Sequence, residues 1–175
     1  MSAAAEPTFQ QAMEITAQWL ALWESGELSE EVMADRVAEL VASRDGARGF
    51  FVVALAGTSP LLDRLPETLL VQLRRAGSLV VDLTARNLAM STAMALAHGR
   101  NGDADQQAGS LRVQARATEL LRHLEPEGVR QRLETLLAAA RDGVGADVAF
   151  LARWGYDREQ CQAIAEAIEA VAEPA

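Results

Sequence analysis

The chain has 175 residues, half of them hydrophobic and 23% charged, with a formal net charge of −9. That length and composition suit one globular domain, long enough to bury roughly 70% of the surface its unfolded chain exposes, and exclude a disordered polymer. The negative balance argues against general binding of nucleic acid or of an acidic membrane surface.

The single cysteine, Cys161, cannot close an intramolecular disulfide and suits a reducing cytoplasm. The opening MSAAAEPTFQQAMEI lacks a basic region followed by an apolar run, so no secretory signal is expected there. The longest apolar-rich run without charge, Asn87 to Gly99, has 13 residues, whereas a bilayer span needs roughly 20. All 16 basic residues are arginine, which with the abundant alanine reflects the codon bias of a GC-rich genome. Charge is unevenly placed: residues 1–42 hold eight acids and one Arg, residues 43–132 nine acids and twelve Arg. Acidic terminal helices flanking a mildly basic middle account for this pattern. A partner- or anion-binding face on the middle segment is the functional alternative.

Periodicity predicts helices almost throughout. Phe9, Met13, Trp19, Leu20 and Trp23 share one side of a first helix that stops at Ser25-Gly26. Leu28-Ser29 opens a second, with Val32, Val37, Leu40 and Val41 apolar and Glu30, Glu31 and Asp35 in its first turns, where the dipole favours acids. Together they form an αα-hairpin with a short turn. Ser43 to Gly49 is expected as a loop or a frayed helix start. Phe50 to Ala56 (FFVVALA) has the composition of a buried strand, but no other segment alternates to pair with it, so a short buried helix is expected. Pro66 starts a helix that ends at Gly77, and Ser78 caps a central one. Asp103 with Gln106 opens a long helix to about Leu124, and Pro126 the next, to Arg141. Asp147 is expected to cap a short helix, and Asp157 with Gln160 a last one that fades at Glu173-Pro174-Ala175. The expectation is an all-α fold: one domain over 1–175, about eight helices around a buried central helix (79–98), with 1–42 as an acidic hairpin.

Most motifs that carry chemistry are missing from the sequence. There is no G-x-x-x-x-G-K-[ST], no G-x-S-x-G, no C-x-x-C and no H-E-x-x-H. Glu119 and His123 form a single i,i+4 pair, expected to be solvated, where a di-iron bundle needs two E-x-x-H pairs. Asn101-Gly102-Asp103-Ala104-Asp105 begins like a calcium loop, but Gln106 and Arg112 occupy the places that need Gly and Glu. Neither a metal nor a cofactor is implied. Arg112, Arg116, Arg122, Arg130 and Arg132 make a basic stripe without aromatic interleaving, read as helix surface.

The central helix threads polar residues through an apolar background, and groups taken into a core need partners or a ligand. At about 100° per residue, Asp82, Arg86 and Arg100 fall on one side, and Asn87, Ser91 and His98 on a second. Asp82 and Arg86 at i,i+4 suit an internal pair, with Asn87, Ser91 and Thr84 bonding neighbouring backbone. The alternative is a pocket in which Arg86 or Arg100 clamps an anion while Asn87, Ser91 and His98 orient it. Trp19 and Trp23, one turn apart, are expected as core, or else as a docking surface of the kind Trp favours.

The run Arg86-Asn87-Leu88-Ala89-Met90-Ser91-Thr92-Ala93-Met94, with Arg48-Gly49-Phe50-Phe51-Val52-Val53-Ala54-Leu55 upstream and Phe150-Leu151-Ala152-Arg153-Trp154-Gly155-Tyr156-Asp157 near the end, resembles a family of uncharacterised helical proteins from cyanobacteria. The resemblance implies a cyanobacterial cytoplasm and carries over no activity and no site residue. The expected function is a non-catalytic protein–protein interaction or regulatory module, acting on another protein or as a homo-oligomer. A small-molecule binding protein for an anionic ligand, or an enzyme, with a polar pocket on the central helix is the alternative.

Overall fold

Capping residues set the helix boundaries. In the computed structural model, which describes residues 5–173, Thr8 opens α1 (Phe9–Glu24) with a reciprocal capping box. Its hydroxyl accepts from the Gln11 N–H at 3.1 Å, and the Gln11 side chain accepts from the Thr8 N–H at 2.9 Å. At the other end Gly26 takes φ +80°, which lets the Glu27 and Gly26 N–H groups fold back onto the carbonyls of Leu22 and Trp23. Ser29 then caps α2 (Glu30–Leu40).

The next boundary decides an open expectation. Ser43 accepts from the Gly46 N–H at 3.2 Å, so of the two expectations for this segment, a loop or a frayed helix start, α3 (Arg44–Ala56) realises the helix start, as a firmly capped one. Two glycines there read as helix breakers, but they serve close packing. A Cβ on Gly49 would lie 2.5 Å from the Ala12 Cβ and 2.8 Å from the Phe9 carbonyl oxygen. A Cβ on Gly46 would collide with the Leu40 carbonyl. The FFVVALA segment is helical as expected, forming the second half of α3.

The chain continues through α4 (Glu67–Arg75), α5 (Ser78–Arg100), α6 (Ala104–His123), α7 (Pro126–Asp142), α8 (Val148–Arg153) and α9 (Arg158–Ala172). Pro66 stands at the cap rather than the first turn of α4, and α5 takes in Ser78 itself and extends to Arg100. The expected Asp103 cap and the Asp157–Gln160 capping box both form. The described residues are all-α, with nine helices and no strand among them. The N-terminal tetrapeptide within the segment expected to carry no signal, and residues 174–175 at the expected end of the last helix, lie outside the described residues.

The chain divides into two compact units, one through Leu83 and one from Thr84, and the division falls within α5. In the first unit α1 packs on α3 and α2 on α4, around Phe50 and Phe51, whose rings meet edge to face at 5.1 Å. The buried face of α1 is Ala12, Thr16 and Leu20. Trp19 and Trp23, expected there, are only half-buried. Ala12 sits on this face where the α3 backbone comes closest, a Cβ on Gly49 falling 2.5 Å from the Ala12 Cβ. Val32, expected on the apolar side of α2, is 41% exposed, and Met33, Ala34, Val37 and Leu40 fill that role.

In the second unit α7 runs against α9, and α6 packs against both. The core there draws on Leu120, Leu121, Leu124, Leu136 and Ile164.

Candidate functional site

Of the residues singled out on the central helix, Asp82 lies in the first unit and the others in the second. Asp82, Arg86 and Asn87 are half-buried, and none of the three is without a partner. The Arg86 guanidinium sits over the Phe150 ring of α8, 5.0 Å from its centre. Ser91 is buried and spends its hydroxyl on the Leu88 carbonyl at 3.1 Å. Thr92 donates to the same carbonyl and accepts from the Gln114 amide at 3.1 Å. His98 is half-buried near the end of α5, where its carbonyl accepts from the Asp103 N–H. Arg100 clasps Asp157 at 2.6 Å and Glu159 at 2.7 Å, at the start of α9. Its guanidinium holds the Asp157 carboxyl below the usual carboxylate range, and the Gln160 N–H capped by that carboxyl adds to the effect. Ser91 and Arg100 therefore have internal work.

The same holds for the arginines expected as open surface. Arg116 is 3% exposed. Arg132 grips Asp147 bidentately, at 2.6 and 2.9 Å, with both side chains largely buried. Asp147 consequently makes no side-chain cap on α8, contrary to expectation, because its carboxylate is committed to α7. Arg122 donates to the Val171 and Ala170 carbonyls at 3.2 and 2.8 Å, satisfying the last turn of α9 from a neighbouring helix. Arg130 bridges Glu127 and Glu134. Glu119 lies 3.8 Å from His123, the expected exposed pair. Sequence spacing shows i,i+3 and i,i+4 pairs such as Arg130's. It gives no signal for Arg132–Asp147 or Arg122–Val171, whose partners come from other helices.

Two surfaces are left over. One is the outer face of the α1–α2 hairpin. Trp19 and Trp23 are half-buried there, with Leu22 39% and Val32 41% exposed, and the Arg36 guanidinium lies 5.6 Å from the Trp19 ring centre. The other is a groove of about 450 Å3 between the end of α6, α7 and α9. Leu121 and Leu124, Val129, Leu133 and Leu137, and Ile168 and Val171 form its walls, with Arg122, Arg130, Glu134 and Glu169 at the mouth. Those mouth charges are engaged within the unit, Glu169 with Arg141. The walls show only in the fold, since each helix contributes a few leucines that alone read as core.

Residues 8–171 match the family described as uncharacterised conserved protein UCP020893. The chain belongs to that family. The UCP020893 match spans the three segments on which the resemblance was read and takes in both surfaces up to Val171. No curated protein and no solved structure matches the chain.

Other chemistry finds little to build on. No group of three or more His, Cys, Asp or Glu among the described residues is placed to hold a metal. Burial pushes the Cys161 thiol up, away from the thiolate that a nucleophile needs, and does the same to the Tyr156 hydroxyl. No helix among the described residues is long and apolar enough to cross a membrane.

Proposed function

We propose that the protein is a non-catalytic interaction module of the cytoplasm that works by docking another protein through the α1–α2 hairpin. One observation carries this reading: two tryptophans, with Leu22 and Val32 beside them, are left partly in solvent on one surface. Aromatic anchors of this kind supply much of the energy at protein interfaces, and a fold that needed them only for its core would bury them. The test is retention of proteins from native lysate by the immobilised chain, compared with Val32→Asp. Val32 is already exposed, so this change leaves the core intact. A set of proteins held by the parent and lost by the variant is expected; identical sets would overturn the reading.

A second reading has its own support, in the groove of the second unit. Its volume falls within the roughly 300–1,000 Å3 of small-molecule sites, and its walls are apolar. With the mouth charges engaged internally, an uncharged apolar ligand suits it better than the anion considered for the central helix. Saturable binding of the apolar dye Nile red, abolished by Leu137→Glu, supports this reading; dye uptake equal in parent and variant removes it.

A further inference from the structure

The hairpin face also says what kind of partner it takes. The contact between Arg36 and Trp19 puts the Arg36 side of α2 beside the Trp19 side of α1. In an antiparallel pair, one turn from Arg36 toward the hairpin tip is Val32, and one turn from Trp19 in the same direction is Trp23. Val32 therefore lies on the Arg36 side of α2, toward the tip and the Trp23 end of α1, and Leu22 adjoins both tryptophans on α1. At about 100° per residue, Asp35 and Glu39 both lie to one side of Val32 on its own helix, within about 60°. Glu24, Glu27, Glu30 and Glu31 crowd the tip, and all six acids are exposed. Over residues 1–42 the balance is eight acids to one Arg, and that Arg lies over the Trp19 ring.

An apolar strip bordered by carboxylates selects among occupants by charge. A duplex or an anionic bilayer would bring phosphates against the acids. A second copy meeting this face with its own, as a two-fold dimer requires, would set like charges against each other. An extended peptide gains no backbone partners from two helices, which offer no strand edge. A helix satisfies its own backbone and can present apolar and basic residues at i, i+3, i+4 and i+7. Resting on the interaction reading above, we infer that the α1–α2 face docks a basic amphipathic helix of a partner protein. Its apolar side lies on Trp19, Leu22, Trp23 and Val32, and its Lys and Arg side chains reach Asp35, Glu39 and the acids of the tip.

The test uses the full chain and a labelled Lys/Leu amphipathic peptide of about 16 residues, long enough to hold a helix once docked. Controls are a scrambled peptide of the same composition and one with Glu for every Lys. Fluorescence anisotropy is expected to show saturable binding of the amphipathic peptide alone, weakening as salt rises from about 0.05 to 0.3 M. Trp23→Ala should weaken it about tenfold or more, as an anchor does. Asp35→Lys with Glu39→Lys, both at exposed sites, should weaken it several-fold and reduce its salt dependence. Circular dichroism confirms that each variant is folded.

Equal binding of the scrambled peptide, or unchanged binding by the charge-reversed variant, overturns the inference. So does sedimentation showing a dimer that the charge reversal dissolves, since the occupant is then a second copy. Lysate proteins lost on Val32→Asp without any peptide binding overturn this inference alone and leave the interaction reading in place.

Discussion

The hairpin of the first unit and the α6–α9 part of the second use charge in opposite ways. From Thr84 onward, Arg100, Arg122, Arg130, Arg132 and Arg141 each close on a carboxylate of the same unit, and Arg122 also reaches backbone carbonyls. In the hairpin the acids are exposed and outnumber the single Arg by eight to one. Charge spent on internal pairs stabilises a fold and leaves little field outside. Charge left in excess weakens the fold slightly and speaks to a partner. The mildly basic middle of the sequence is one candidate by composition, yet Arg100, Arg122, Arg130 and Arg132 there are engaged with carboxylates of their own unit. On the reading proposed above, recognition falls instead to the hairpin, where exposed acids stand in excess.

The comparison breaks most easily at Arg132–Asp147. Asp147→Ala strips the largely buried Arg132 of its bidentate carboxylate, so it should cost about 3 kcal/mol, the lower end of the usual range because Arg132 keeps some exposure. Replacing both, Arg132→Met with Asp147→Leu, should cost less than the single change. Urea midpoints for the three proteins check this, and a double variant no better than Asp147→Ala would show that the pair is not acting as a unit. Arg122→Gln should come next, at about 2 kcal/mol, because it frees two helix-end carbonyls at a partly buried site. Amide exchange should rise in the last turn of α9 rather than across the unit. Equivalent losses in the hairpin, from neutralising Asp35 or Glu39, should be near zero.

Glycines sharpen the same contrast with a change of sign. Gly49→Ala forces a methyl against Ala12 and the α1 backbone. Overpacking of about 1–3 kcal/mol outweighs the roughly 1 kcal/mol that Ala gains over Gly in a helix, so a net loss of about 1 kcal/mol is expected. Gly109 in α6 has open space around its Cβ position, and Gly109→Ala should stabilise by roughly 0.5–1 kcal/mol. Thermal melts of the two variants moving in the same direction would contradict this account.

What the sequence makes legible follows from locality. Caps at Ser29, Asp103 and Asp157 act over three residues, so they can be read directly, and with them the all-α class. The segment 43–49 is only half readable, as a loop or a frayed helix start, because Gly49 breaks helices locally but is demanded by close approach to Phe9 and Ala12, distant in sequence, while Gly46 makes room for the Leu40 carbonyl six residues back. Asp147 misreads for the related reason that a stronger partner 15 residues away outbids its local cap. The polar strip of the central helix divides the same way. Pairing inside one helix is readable from spacing, whereas Phe150 under Arg86 and Glu159 beside Arg100 belong to other helices. The hairpin face is half legible: the Trp19–Trp23 spacing gives a shared face, whereas its half-buried state depends on helices elsewhere in the unit that spacing within α1 does not reveal.

The smallest expected effect tests whether an exposed pair belongs with the structural charges at all. Arg100 holds Asp157 in its ionised form, so the folded carboxyl titrates lower than the unfolded one. A lowered folded pKa contributes stability above the ordinary carboxylate range, and the contribution is lost as pH falls through the lowered value. The parent and Arg100→Gln should therefore differ near neutral pH and converge in acid. Both groups are exposed, so the difference should also shrink as salt is added. Asp157→Asn separates the two jobs of that carboxyl. Asn caps a helix about as well as Asp, so the Gln160 N–H keeps its acceptor while the charge is gone. If the pair matters and the cap is intact, Asp157→Asn should match Arg100→Gln in melting temperature and lose the acid dependence with it. A much larger loss in Asp157→Asn would mean that the carboxylate serves the start of α9 chiefly through its charge on the helix dipole, with Arg100 a bystander.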